Sequence, residues 1–255
     1  MNAVLDVQGI SINFGGVQAL QDVSFDVAKG ELLGLIGPNG AGKTTAMRSI
    51  TGVVTPQQGS VTLDGRNLTG KSVSQRVRLG LGLSQQIVKP FKSMTVAQNV
   101  ALAAGTAKTR NPLHALFIRD RSAEMQQARH LLDLLGIGHV ADAQPGELPL
   151  GFLKRLELAR ALALEPHVLL LDEPLAGLNQ TEAAQLADTI ATLNQQGLTT
   201  VLIEHNLGEV MRICSRLVVL DNGRNLKSGA PKSVMADADV RAAYLGEGVS
   251  NDQTH

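Results

Sequence analysis

The run Gly37-Pro38-Asn39-Gly40-Ala41-Gly42-Lys43-Thr44 constrains this chain more than any other stretch. It satisfies G-x-x-x-x-G-K-[ST], follows the short, largely apolar run Glu31–Ile36, and opens a helical pattern over Lys43–Ile50. That is the strand–loop–helix setting the pattern requires. Glycines let a backbone fold around a phosphate without Cβ clashes, and successive N–H groups then point inward as an anion nest. The helix opening near Lys43 adds a positive dipole end. On this reading Lys43 reaches β- and γ-phosphates, and Thr44 offers its hydroxyl to Mg²⁺. An ordinary glycine-rich turn is the alternative, and the strand and helix on either side weigh against it.

A second piece is Val168-Leu169-Leu170-Leu171-Asp172-Glu173-Pro174. So short an apolar run reads as a central strand covered on both faces. It delivers two carboxylates to its carboxyl end, the edge at which open α/β sheets bind ligands. Asp172 suits a Mg²⁺ shell, and Glu173 suits polarising a water for attack on a γ-phosphate. Alone, an Asp-Glu pair there reads more readily as a helix cap or solvated turn; the phosphate loop supplies the other reading. The third piece is His205, just beyond the apolar run Thr200–Ile203. The two strands and a helix over 181–195 form a βαβ unit, whose right-handed crossover brings parallel strands together. Glu173 and His205 are therefore expected at one sheet edge, one strand or two apart. A single histidine is commonly structural, and this placement adds a second role, an imidazole N–H donated to a γ-phosphate.

Around these pieces the pattern is α/β. Residues 4–13 and 22–28 alternate apolar and polar side chains as half-buried strands do. Gly59–Leu63 is a strand closed by the hairpin turn Asp64-Gly65, and Leu217–Leu220 a strand turned back by Asn222-Gly223. Helical patterns fall at 121–135, 152–164, 181–195 and 206–213, with Gly136 and Gly197 where helix ends favour glycine. Strand signals are weak from 88 to 162, which predicts a helical insertion whose most exposed loop is 105–112. The expected division is a core of residues 1–87 and 163–255, interrupted by a helical subdomain over 88–162.

Composition narrows the partners. Hydrophobic residues are 44% of the 255 and charged residues 18%, enough for a core and too little charge for disorder. Lysine plus arginine total 23, as do aspartate plus glutamate. A zero balance argues against attachment to nucleic acid or anionic lipid by bulk charge. With five Phe, one Tyr and no Trp, stacking platforms for single strands are not expected either. Cys214 is the one cysteine, so no internal disulfide or Cys-based metal site is available, which favours a reducing, cytoplasmic compartment. The opening MNAVLDVQGI has no secretion-signal pattern, and no run approaches the ~20 apolar residues that span a bilayer. Membrane association is expected only through a partner.

In this order the motifs resemble the ATP-binding subunit of ABC transporters, and the likeness covers nearly the whole chain. The resemblance implies a P-loop ATPase core with a mostly parallel central sheet, an antiparallel β subdomain, and an inserted helical subdomain carrying a signature sequence. It implies ATP and Mg²⁺ as cofactors. Phe14 in INFGG corresponds to the aromatic that stacks on adenine, and Gly37, Pro38, Asn39, Gly40, Ala41, Gly42, Lys43, Thr44 and Thr45 to the phosphate-binding set. Gln86 in SQQIVKPFKSMTV resembles the glutamine linking the metal site to the helical subdomain; it is preferred to Gln85 because it lies five residues before Phe91. The implied metal ligands are Thr44, Gln86 and Asp172, and the implied catalytic residues Lys43, Gln86, Glu173 and the switch histidine His205. Gly151, within Leu148-Pro149-Leu150-Gly151-Phe152, takes the signature position, and Ala176-Gly177-Leu178-Asn179 the loop that crosses the dimer interface. A narrower likeness, to the branched-chain amino acid transporter branch, rests on FGGVQAL, EPLAGLN, IEHNLGEVM and DVRAAYLGEG. Relatives in that branch also handle urea, amides and aromatic acids. The implied setting is bacterial import at the cytoplasmic face of the inner membrane. The implied partners are a second ATP-binding subunit, identical or homologous, two transmembrane permease subunits and, indirectly, a solute-binding protein.

The signature departs from the family's Leu-Ser-Gly-Gly-Gln: Pro149 replaces the serine, Leu150 the first glycine and Phe152 the glutamine. Proline offers neither hydroxyl nor N–H, and losing one preorganised donor costs about 10²–10³ in rate. Gly151 keeps its N–H at a helix start, where an anion is favoured. In the family dimer a signature serves the opposite subunit's nucleotide, so the deficit would fall on the partner's ATP. Rival readings are weaker. A soluble ABC-type ATPase acting on nucleic acid or ribosomes would carry a coiled-coil insertion or a second cassette. A GTPase would show Asn-Lys-x-Asp, and a small-molecule kinase would not need the signature helix. A catalytically weak ATP-binding subunit is suggested only by Pro149 and Phe152. The apolar residues of 88–162 read equally as core and as permease contact.

Overall fold

The computed structural model describes residues 3–84, 89–108 and 121–250. Strands β1 (Ala3–Phe14) and β2 (Val17–Ala28) form an antiparallel hairpin, and β3 (Leu32–Ile36) runs into helix α1 (Lys43–Thr51). After β4 (Gln58–Leu63) and β5 (Arg66–Asn67) come α2 (Val73–Arg78), β6 (Leu81–Ser84), α3 (Val96–Lys108), α4 (Ser122–Leu134) and α5 (Leu150–Leu162). The chain then continues through β7 (Val168–Asp172), α6 (Gln180–Gln195), β8 (Thr199–Ile203), α7 (Leu207–Ile213), β9 (Arg216–Asp221) and β10 (Arg224–Gly229). It closes with α8 (Pro231–Ala236) and α9 (Ala238–Ser250).

Two sheets result. One is four-stranded and antiparallel, in the order β2-β1-β4-β5. The other is six-stranded, in the order β10-β9-β3-β8-β7-β6, with only β10 antiparallel to its neighbour. The mostly parallel central sheet and the separate antiparallel sheet are as expected. The apolar runs have a direct cause: both faces of the six-stranded sheet are covered, so side chains of both parities are buried and mostly apolar, Thr199, Thr200 and Ser84 being the buried polar exceptions among its described strands. Leu33, Leu35, Leu170, Val201 and Ile203 face α1 and the antiparallel sheet, packing with Met47, Ile50, Leu5 and Val7. Leu32, Ile36, Leu169, Leu171 and Leu202 face the other side, among Val100, Leu132, Leu156, Leu186 and Ile190 of helices α3 to α6.

Three local readings are corrected. The second strand begins at Val17, not at residue 22, because Gly15 and Gly16 both take positive φ and close a two-residue hairpin turn, Phe14 pairing with Val17. Within that strand Asp22 adopts φ 53°, which marks its irregular register. Residues 105–108 continue α3 and do not start a loop: the alanine-rich segment AQNVALAAGTAK tolerates one glycine, while 109–112 lie outside the described residues. Strands β6 and β10 and the short helix α2 were not anticipated.

Candidate nucleotide and catalytic site

The phosphate loop leaves the carboxyl end of β3. Gly37 has φ 147°, and a Cβ there would stand 2.0 Å from the Leu220 carbonyl oxygen, so only glycine lets the loop pass β9 this closely. Gly42, at φ 100°, caps α1; a Cβ on it would meet Leu20 Cδ2 at 2.6 Å. A glycine cap has no side chain to occupy the first helical N–H groups, which therefore face the loop. Lys43 is buried, and its Nζ donates to the carbonyls of Gly37 (2.6 Å) and Pro38 (2.8 Å), folding the ammonium back over the loop. The Ala41 N–H donates to the Pro38 carbonyl, and the Gly223 N–H to the Ala41 carbonyl, which ties the loop to the β9–β10 turn. Asn39, Gly40 and Thr44 are exposed, and Thr45 is half-buried.

Strands β3, β8 and β7 lie side by side and parallel, so the phosphate loop, His205 and Glu173 leave one edge of the sheet. Glu173 and His205 are one strand apart, and His205 Nε2 stands 2.8 Å from Glu173 Oε1. An ionised carboxylate can only accept, so the imidazole donates its Nε2–H. Glu173 itself sits at φ 51°, a left-handed conformation that side chains with a Cβ rarely adopt. Its N–H donates to the Ile203 carbonyl at 2.9 Å. Asp172, half-buried at the end of β7, has an Oδ1 that is buried and has no hydrogen-bond partner among the described residues. Burial first, and then the neighbouring Glu173 charge, push its carboxyl above the usual range; Arg48, His205 and Lys154 pull the other way.

Other expected residues lie apart from this cluster. Phe14 is half exposed, beside the Gly15-Gly16 turn at the tip of the antiparallel hairpin. Gly151 lies in the first turn of α5, where a Cβ would meet Glu182 Oε1 of α6 at 3.3 Å and no atom of the phosphate loop. Pro149 caps that helix, its carbonyl accepting from Phe152 and Leu153. Phe152 stacks edge-on against His139, ring centroids 5.6 Å apart. Gln86 lies outside the described residues. Two residues of the cluster escaped the sequence reading. Glu204, at the end of β8, is 4% exposed and accepts from the Leu175 N–H at 2.6 Å. Lys154 on α5 is 6% exposed and donates to the Glu173 carbonyl at 3.1 Å. The available signal for Glu204 was a carboxylate directly ending the apolar run Val201–Ile203 of β8.

Fold and site together define a phosphate-loop nucleotide-binding cassette. The ABC transporter family model matches residues 20–176, from β2 through the loop after β7. The high-affinity branched-chain amino acid transport ATP-binding protein LivG of Salmonella typhimurium is 38% identical, over 96% of this chain and 98% of that protein. BraF of Pseudomonas aeruginosa, described in the same terms, is 36% identical over 96% and 98%. The ADP conformation of MJ1267, an ATP-binding cassette of an ABC transporter, matches with a TM-score of 0.85 at 31% identity, covering 96% of this chain and 100% of that one. The chain belongs to the ABC transporter family. It is an ATP-using subunit, an ATPase coupled to transport.

Proposed function

We propose that the chain is the Mg²⁺-dependent ATPase subunit of a bacterial importer for branched-chain amino acids or a related small solute such as an amide, urea or aromatic acid. The observation that carries the catalytic part is the Glu173–His205 contact at 2.8 Å, on the strand ends beside the phosphate loop. The cargo rests on the likeness to LivG and BraF. On ATP binding, Lys43 exchanges the Gly37 and Pro38 carbonyls for β- and γ-phosphate oxygens. The Thr44 hydroxyl and the Asp172 Oδ1, which has no hydrogen-bond partner among the described residues, would hold a Mg²⁺ ion. Such an ion would need few protein ligands here. When bound, Mg²⁺ supplies charge neutralisation across the β- and γ-phosphates. Glu173 orients the attacking water and accepts its proton, and the His205 Nε2–H, which rests on that carboxylate at 2.8 Å, turns to the γ-phosphate when ATP is bound. Gln86 completes the sensing of that phosphate, and Phe14 stacks on adenine.

Two such subunits, identical or homologous, close around ATP and reopen after hydrolysis, a switch set by γ-phosphate contacts. Gly151 serves the partner's nucleotide in that dimer. The helical subdomain over 88–162 passes the movement to two permease subunits, which a solute-binding protein loads from the other side. Among the described residues no helix is long and apolar enough to cross a membrane. The proposed seat, peripheral on the cytoplasmic face of the inner membrane, is held through the permease subunits. No nucleic acid takes part.

The test is Glu173→Gln, with ATP affinity read by calorimetry and turnover by phosphate release. Turnover falls about 10²–10⁴-fold, as loss of a general base requires, while affinity holds. Near-normal hydrolysis removes Glu173 from the base role. Lys43→Ala weakens ATP binding, and unchanged affinity overturns the phosphate-loop assignment. In vesicles carrying the reconstituted transporter, a leucine-loaded binding protein stimulates hydrolysis. Stimulation by urea or an amide alone moves the cargo within the branch.

A further inference from the structure

Lys154 belongs to the helix that follows the signature residues, yet its side chain turns inward to the end of β7. Its Nζ donates to the carbonyl oxygen of Glu173 at 3.1 Å. Burial lowers its ammonium pKa from the ordinary lysine value, and the attraction of Glu204, Glu173, Asp172 and Glu157 opposes that shift. Glu204 is the first of these counter-charges. Its Oε1 accepts the Leu175 N–H at 2.6 Å and its Oε2 the His205 N–H at 3.2 Å. One buried carboxylate therefore holds the loop after Glu173 and the residue that contacts the Glu173 side chain. Burial raises this carboxyl, and the backbone N–H groups of Leu175, His205 and Asn206 hold it down.

These contacts surround a backbone under strain. Glu173 is held at φ 51°, and such a conformation persists only where its surroundings over-determine it. Its N–H is bound to the Ile203 carbonyl, and its own carbonyl accepts both the Lys154 ammonium and the Ala176 N–H. Every one of these groups comes from β7, β8 or the loop between β7 and α6, except Lys154, which comes from α5.

We propose that Lys154 is a positioning residue: with Glu204 it forms a buried brace that fixes the Glu173 backbone, and so aims the Glu173 carboxylate at His205 and the attacking water. The inference rests on the reading of Glu173 as the base. It adds that the aim of the base depends on where α5 sits, because the Lys154 hydrogen bond joins that helix to the Glu173 peptide. Movement of α5 reaches the catalytic carboxylate without any change in the phosphate loop.

The test uses the full chain with Lys154→Met, Lys154→Arg, Glu173→Gln and the double variant Lys154→Met/Glu173→Gln. Lys154→Met lowers kcat about 10–100-fold, the scale of a small misplacement of a catalytic group. The Kd for ATP stays within about twofold, a loss confined to the chemical step. Lys154→Arg keeps a buried cationic donor and recovers most of the turnover. In the Glu173→Gln background Lys154→Met causes no further loss, because the two act through one group. Should Lys154→Met fail to fold with Glu204 left unpaired, Lys154→Met/Glu204→Gln removes both charges and carries the same kcat-against-Kd comparison. Unchanged kcat with a dead Glu173→Gln overturns the brace and leaves the base in place. So does a loss of ATP affinity matching the loss of kcat. Near-normal turnover in Glu173→Gln itself overturns the base reading instead.

Discussion

Cys214 ends α7 with its sulfur against Gly34 of β3, where a Cβ on that glycine would meet Sγ at 3.1 Å. Burial pushes the thiol from its ordinary 9.0 up to about 12. Folding thus favours the protonated thiol. Its contribution to stability is intact below pH 9.0 and is lost as pH climbs toward about 12, where only the unfolded chain ionises freely. Native protein at pH 8 therefore resists thiol reagents, and labelling follows global unfolding in a denaturant series; rapid stoichiometric labelling of native protein contradicts this. Residues differ sharply in how much of such behaviour their sequence context reveals. Lys43, Thr44, Asp172 and Glu173 are legible because their spacing to a strand end is itself the chemistry. Lys154 is not, and of Glu204 only its place at a strand end is, because their partners lie 19 and 29 positions away in the chain and meet only once the sheet forms.

Helix α1 illustrates the next scale. Its start was legible from the glycines and lysine, but its end depends on a residue of α2. Arg76, 1% exposed, donates from Nη1 to the carbonyls of Ser49 (2.6 Å) and Ile50 (2.7 Å), and from Nε to Lys71 (3.0 Å). The negative end of the α1 dipole and these carbonyls compensate a cation that burial disfavours. Arg76→Met takes the guanidinium donor from the Ser49 and Ile50 carbonyls, leaving Ser49 only the Gly52 N–H, and costs about 2–4 kcal/mol in urea unfolding. Arg76→Lys recovers only part, since an ammonium cannot reproduce the planar fork. Loss below about 0.5 kcal/mol, the scale of an ordinary surface change, refutes the cap. The element carrying Arg76 was missed for a physical reason: α2 has six residues and β6 four, with Gly82 among them. Neither is long enough for a period to show; packing against β7 and α1 holds them. The 12-residue β2 was shortened in the sequence reading because its outer half alternates poorly and owes its strand to the Gly15-Gly16 turn.

The whole molecule turns on strand order. Three of the stretches that carry chemistry, at 37–44, 172–173 and 205, are far apart in the chain and adjacent in the sheet. That convergence was legible because a βαβ crossover has one hand, although whether one strand or two separated Glu173 from His205 was not. Glu173→Gln with Mg²⁺ and ATP is expected to sediment as a dimer, with itself or with a homologous partner, and as a monomer without nucleotide. Dimer formation indifferent to ATP contradicts the proposed switch. The most direct measurement is a crystal structure of Glu173→Gln with Mg²⁺ and ATP. The expected result is the triphosphate within the Gly37–Thr44 loop, Lys43 Nζ moved from the Gly37 and Pro38 carbonyls to phosphate oxygens, and Asp172 Oδ1 on the metal side. Nucleotide bound elsewhere, with Lys43 still on those two carbonyls, contradicts it.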